Sequence, residues 1–239
     1  MRARQHCQRS ASIAGGTLIA LAATIGCAGC ARSSSPSQDS GKAGNPAETP
    51  RETLVRLIAA REAHVYRDIR ALILPQHAED VVTYLMAVDD FLLANRELCQ
   101  YVRDQVGLGL AQNIDQSHMA ANLEIFSPYV ELLDEVVEGD AATVSFVVDS
   151  NLPVKRAELR RIGDTWRYDP GPGYDPELPR AFHRMARGLR QALQEIKSGR
   201  LSPQMLRDDP DLLVKEVEVR LLPGVKMLSR PNATNKGGD

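Results

Sequence analysis

Residues 129–138, YVELLDEVVE, followed by Gly139-Asp140 and then residues 141–149, AATVSFVVD, decide the fold. Both runs are rich in the β-branched and aromatic side chains that fit a pleated surface, and the Gly between them supplies the backbone freedom of a tight hairpin turn. Residues 154–162, VKRAELRRI, then Gly163-Asp164 and residues 165–169, TWRYD, repeat the arrangement. Two strand pairs with Gly-containing junctions predict an antiparallel sheet.

N-terminal to this sheet the apolar period lengthens from two to that of a helix. Thr49-Pro50-Arg51-Glu52 places a capping Thr, a Pro at the first helical position and a Glu three residues after the cap, so the folded body is expected to begin at residue 49. Helical spacing follows through Leu54, Ile58, Val65, Ile69 and Leu72 in two segments and is expected to stop at Pro75. Between 79 and 106, Val81, Leu85, Val88, Leu92, Asn95, Cys99, Val102 and Val106 recur at alternating steps of four and three, the seam of one long amphipathic helix. Asn95 is either a bonded core amide or a side chain facing a cavity. Cys99, on the same stripe, is expected to be a buried, inert thiol. A short helix is expected over 116–126, ending before Pro128.

Beyond the sheet, residues 170–173 (PGPG) break the chain and Asp175-Pro176 opens another helix. Phe182, Met185, Leu189, Leu193 and Ile196 share one face, with Arg180, Arg184, Arg187 and Arg190 beside or opposite it, a surface suited to solvent, anionic headgroups or a partner. Residues 209–228 read as a helix, with a strand possible over 214–219, and 229–239 as a polar tail. The fold class expected is therefore α+β: N-terminal helices packed on a curved antiparallel sheet over 49–170, with a helical extension over 171–228 packed on it.

The first 48 residues read as an address and a string. Arg2, Arg4 and Arg9, with no acidic residue, precede an apolar run over 11–26 of 16 residues, short of the ~20 that span a bilayer, so 1–26 is expected to be a secretory signal peptide. Thr24-Ile25-Gly26-Cys27 resembles the lipobox of bacterial lipoproteins, which implies acylation of Cys27; Cys30 and a cut after Ala31 are the alternatives. A multiply acylated cysteine holds a protein on a bilayer, since each buried CH₂ is worth ~0.8 kcal/mol. Cys27 and Cys30 also have the C-x-x-C spacing, but they end a signal segment rather than open a helix after a strand. Residues 27–48 form a polar tether, the 18 residues from 31 onward spanning ~23 Å as a flexible chain.

The pattern of a strand, Gly-Asp, a strand, and later a strand, Gly-Asp-x-Trp and a final strand is similar to that of the nuclear transport factor two-like (SnoaL-like) superfamily. It is matched by Glu138-Gly139-Asp140-Ala141-Ala142-Thr143-Val144 and by Leu159 to Tyr168 around Gly163-Asp164-Thr165-Trp166. The resemblance implies a cone-like fold over 50–170 and leaves function open, since that fold hosts isomerases, hydratases and pure binding domains. The 79–106 helix and the C-terminal extension depart from the family's pattern and favour a module that packs on something or covers the cone mouth.

Composition limits the function further. The net charge of −2 on 239 residues argues against nucleic acid as a partner. His64, His77, His118 and His183 are too far apart for a local metal motif, and no phosphate loop, dinucleotide fingerprint or nucleophile elbow occurs, so neither a metal nor a cofactor is expected. Members of the family that isomerise ketosteroids use a carboxylate with a phenol in an apolar cavity. The residues of those types on the long helix are Asp89, Asp90, Tyr84 and Tyr101; the two carboxylates point ~100° apart and are read as its solvated side. No catalytic residue of the family maps onto the chain. The expected function is a membrane-anchored lipoprotein of the cell envelope, facing the periplasm or exterior, acting as a non-catalytic binding or assembly module. Its partners are the bilayer through Cys27 and an envelope protein or small apolar ligand. The alternative is a small-molecule binder or an isomerase- or hydratase-type enzyme using the cone interior. Charge is segregated: residues 71–154 hold 14 acids and two arginines, whereas 155–207 hold 12 basic residues and six acids, so the arginine helix is expected beside acidic surface.

Overall fold

The computed structural model describes residues 48–228 except 122 and 172–174. The signal segment, Cys27, Cys30, the tether up to 47 and the tail over 229–239 lie outside the described residues.

Helix α1 (Pro50–Glu62) starts as its sequence dictates. The Glu52 N–H donates to Thr49 Oγ1 at 3.2 Å and the Thr49 N–H donates back to Glu52 Oε2 at 2.8 Å, so two otherwise orphaned donors are satisfied reciprocally. After α2 (Tyr66–Leu72), Pro75 does not stop the chain but opens α3 (Pro75–Gln105), because a proline at the first helical position has no N–H to lose. The long helix therefore begins four residues before the expected start at 79.

The helix expected over 116–126 is corrected. The chain makes α4 (Leu108–Asn113), which the periodicity did not announce, and then two single 3₁₀ turns, Ser117–Ala120 and Glu124–Phe126. Glu124 has a φ of 54°, a left-handed conformation that a continuous right-handed helix cannot include.

Strands β1 (Val130–Glu138), β2 (Ala141–Val148), β3 (Asn151–Ile162) and β4 (Thr165–Asp169) form one antiparallel sheet in the order β1-β2-β3-β4. Gly139 and Gly163 each take a φ of 61° in the two expected turns. The β2–β3 connection is just as tight: Asp149 and Ser150 both adopt positive φ, 52° and 56°, the combination a two-residue hairpin loop needs, and β3 starts at Asn151 rather than 154. Mixed helix and antiparallel sheet make the chain α+β.

Specific bonds join helices to strands at both sheet edges. Between Leu132 and Glu135 the register of β1 shifts. Arg51 answers that irregularity: its backbone N–H donates to Glu135 Oε2 at 2.7 Å, and its guanidinium donates to the carbonyls of Leu132, at 2.8 Å, and Leu133. At the other edge the Leu74 N–H donates to the Tyr168 carbonyl at 2.9 Å and Arg167 donates to the Ala71 carbonyl at 2.9 Å. Ala142, Val144, Phe146, Leu159, Trp166 and Tyr168 are buried in the same cluster as Leu54, Leu57, Val81, Leu85 and Phe91 of the helices.

The C-terminal part is α5 (Glu177–Lys197), α6 (Pro203–Asp208) and α7 (Asp211–Leu228), which resolves 209–228 as a helix. All five apolar residues expected on one face of α5 are buried. Phe182 stands edge-on to Tyr84 and Phe91 of α3, with ring centroids 5.9 and 5.6 Å away.

Candidate functional site

The expectation of a solvated Asp89 is overturned. Three donors from the end of α1 and the start of α2 converge on its carboxylate, because α2 packs on α3 and the turn after α1 folds back, its His64 and Val65 N–H groups donating to the Arg61 and Ala60 carbonyls. Arg61 is bidentate, with Nη1 and Nη2 each 2.5 Å from Asp89, and the two side chains are only 9% and 16% exposed. His64 Nδ1 lies 2.8 Å from Oδ2, and the Tyr66 hydroxyl donates to the same oxygen. An ionised carboxylate only accepts, so His64 carries its proton on Nδ1, and in the neutral ring Nε2 is left with its lone pair. His64 occupies the left-handed position after α1, with a φ of 54°, where glycine is the usual choice.

Electrostatics favour the ionised carboxylate at this hub. Burial alone would raise the Asp89 carboxyl, but the hydrogen bonds from Arg61 and Tyr66 and the guanidinium charge outweigh it and hold the group below the ordinary carboxylate value. Burial, reinforced by Asp89, pushes the Tyr66 phenol up to about 12.

The hub forms part of the wall of a groove of about 500 Å³ between α1, α3 and the two 3₁₀ turns. Its apolar lining is Ile58, Leu92, Leu123, Ile125 and Phe126, and its polar groups include His64, Arg96 and His118. That volume is in the range of small-molecule sites. A second groove of about 490 Å³ runs on the other side of α1 against β1, sharing Ile58 and Glu62 with the first. On α3, Asn95 Nδ2 donates to Asp115 Oδ1 at 2.7 Å while its Oδ1 accepts the Gln116 N–H at 3.0 Å. Asn95 is thus the bonded core amide of the two readings. Cys99, expected to be buried, is half-buried; that partial burial, with Asp115 nearby, pushes its thiol up to about 11, away from the thiolate a nucleophile needs.

Asp90, Tyr101 and His77 are engaged away from the hub. Asp90, one residue round the helix, faces α5, where it accepts from Arg190 at 3.2 Å and sits 3.4 Å from His183 Nδ1. The arginine helix therefore does meet acidic surface, and this contact, led by the Arg190 hydrogen bond, keeps the Asp90 carboxyl below its usual value. Tyr84 is turned into the core against Phe182, Tyr101 lies 5.5 Å from the Lys197 ammonium, and His77 is 4.0 Å from Asp169. Arg61 and Tyr66 went unread in the sequence. Arg61 had a signal, because it continues the Leu54–Leu57 stripe of α1, a position where an arginine must find a buried partner.

Among the described residues no His, Cys, Asp and Glu group is arranged to hold a metal ion, and no helix is long and apolar enough to cross a membrane. No protein-family profile, curated protein or solved structure matches the chain significantly.

Proposed function

We propose that this chain is a lipid-anchored protein of the bacterial cell envelope, held on the bilayer through acylated Cys27 and facing the periplasm or exterior, and that its α+β body is a non-catalytic binding module. In this reading the β1–β4 meander curves over the helices as a cone of the nuclear transport factor two-like kind. The binding site is the groove between α1, α3 and the 3₁₀ turns, and its occupant is a small apolar ligand or an apolar segment of an envelope protein. The observation that carries this is the groove's build: an apolar lining beside a carboxylate whose lone pairs are already engaged by Arg61, His64 and Tyr66. General acid–base work favours groups that titrate near the working pH, and Asp89 is held the other way. A satisfied hub serves as a preformed wall.

One observation favours the enzymatic alternative: Asp89 orients His64 so that Nε2, in the neutral ring, is a proton acceptor beside the groove. His64→Gln separates the two, since a binding module keeps its ligand affinity and an acid–base enzyme loses turnover.

Two measurements test the main reading. Membrane fractionation of wild type and Cys27→Ala is expected to release the variant from its lipid anchor; a variant that still partitions wholly with membranes refutes the anchoring. Titration of the full chain with anilinonaphthalene sulfonate is expected to show a saturable site that Leu92→Trp fills and abolishes. Equal binding by that variant would remove the groove as the site.

A further inference from the structure

The arginine helix lines a pocket separate from the groove. Of the 12 basic residues in 155–207, nine have an ion pair, hydrogen bond or ring contact. Among the described residues Arg156, Arg184 and Arg187 have none. The last two lie together.

Residues 180, 184, 187, 191 and 195 fall within about 80° of one another around α5, so they form one stripe. Helix α7 runs antiparallel beside it: a Cβ on Gly188 would sit 2.9 Å from the Arg220 carbonyl, and one on Gly224 would meet Met185 and the Ala181 carbonyl. Where the stripe offers acceptors, α7 supplies a cation, for Arg220 donates to Gln191 Oε1 at 3.1 Å and Glu195 Oε1 at 3.4 Å. Where the stripe offers Arg180, Arg184 and Arg187, two turns further along α7, the neighbour is Met227. These side chains, with Glu177 and His183, line a pocket of about 360 Å³. Glu177 is the pocket's one carboxylate and is engaged by Arg180 at 2.6 Å, while Asp90 on α3 is occupied by Arg190 and His183. Among the described residues this half of the interface has no further carboxylate to pair with Arg184 and Arg187.

We infer that this pocket binds a phosphoryl oxyanion, with Arg184 and Arg187 as its main ligands and Arg180 beside them. Positions 184 and 187 are separated by ~4.5 Å of helix rise and line the same pocket, within reach of one group for two guanidinium forks, and that fork geometry matches phosphate oxygens. The phosphate belongs either to a soluble phosphate or diphosphate ester or to an anionic lipid headgroup; the chemistry recognised is the same.

The test uses the full chain in neutral dodecyl maltoside micelles at low salt. Isothermal titration with pyrophosphate is expected to show one site, weakened about tenfold or more in Arg184→Gln/Arg187→Gln, as loss of charge-assisted hydrogen bonds implies, and unchanged in Arg156→Gln. Met227→Glu supplies the missing anion within the chain and is expected to abolish binding while raising the melting temperature, which keeps the test valid if the double variant folds poorly. Micelles doped with phosphatidylglycerol distinguish the sources: displacement of pyrophosphate by that lipid and not by phosphatidylcholine assigns the site to headgroups, and retention assigns it to soluble phosphates. The inference is overturned if neither pyrophosphate nor phosphatidylglycerol binds, if the double variant or Met227→Glu keeps wild-type affinity, or if Arg156→Gln loses as much as the double variant.

Discussion

Replacing Arg61 with Met leaves the Asp89 carboxylate in place without its bidentate partner, and the cost follows from what remains around it. Removing one member of a buried pair costs about 3–5 kcal/mol because the other charge is stranded. Asp89 keeps His64 and Tyr66 as donors and some access to water, with a side chain 16% exposed, so the expected loss lies at the low end, about 3 kcal/mol. Asp89→Leu strands the guanidinium instead and should cost a similar amount. In Arg61→Met/Asp89→Leu neither charge is stranded, and the methionine and leucine are expected to pack against each other. The double variant is therefore expected to lose about as much as one single variant, a coupling of about 3 kcal/mol. Urea unfolding followed by circular dichroism reads all four proteins, and 3 kcal/mol corresponds to a melting shift of about 6–12 °C for a domain of this size. Single losses below about 1 kcal/mol, as for an exposed pair, or a double loss equal to the sum of the singles, would refute the view of the hub as a buried ion pair.

Three further outcomes are expected. Asp89, Asp90, Asp115 and Asp169 all have carboxyls held below the ordinary value, so the stability they contribute is fully present above about pH 4 and is lost as pH falls through their depressed values; the urea midpoint should hold steady from neutral pH to the unfolded carboxylate range and drop below it, and a midpoint that rose on acidification would contradict the assignment. Gly224→Ala places a Cβ 2.4 Å from Met185 Cγ and 2.9 Å from the Ala181 carbonyl, so α7 must move off α5 at a cost of about 1–3 kcal/mol, whereas alanine at the exposed helical Gly109, where a Cβ meets nothing within 4 Å, should be neutral or stabilising by thermal melt. Thr49→Ala removes the side-chain half of the capping box and should cost about 1 kcal/mol in the same melt, with Thr49→Ser close to wild type.

Local signals were legible in the chain without any partner in view. The Thr49–Glu52 capping box, the two Gly turns at 139 and 163 and the α3 seam depend on interactions a few residues apart, and each is where the sequence put it. The stretch 116–126 departs from the expected helix because its composition suits one while Glu124 adopts a left-handed backbone, a conformation that no neighbouring residue type announces. Pro75 opens a helix rather than ending one because a proline marks either an end or a beginning, and only the chain beyond it decides which.

The sites were legible in proportion to how local they are. The arginine row of α5 could be seen from spacing alone, and so could the separation of Asp89 and Asp90 around α3, because helix geometry sets both. Which carboxylate meets which cation depended on where other helices lie. Arg61 is 28 residues from Asp89 and Arg190 is 100 residues from Asp90, distances over which no periodic signal runs, and burial of the Arg61 pair sets Asp89 apart from an ordinary surface acid. Composition and pattern by themselves determined an α+β body beginning at a cap on residue 49. Tertiary packing alone decided that Asp89 is a half-buried hub, that a groove opens beside it, and that Arg184 and Arg187 line a pocket with a methionine and one carboxylate, Glu177, already engaged by Arg180, because those outcomes rest on the spacing between elements rather than on the order of residues within them.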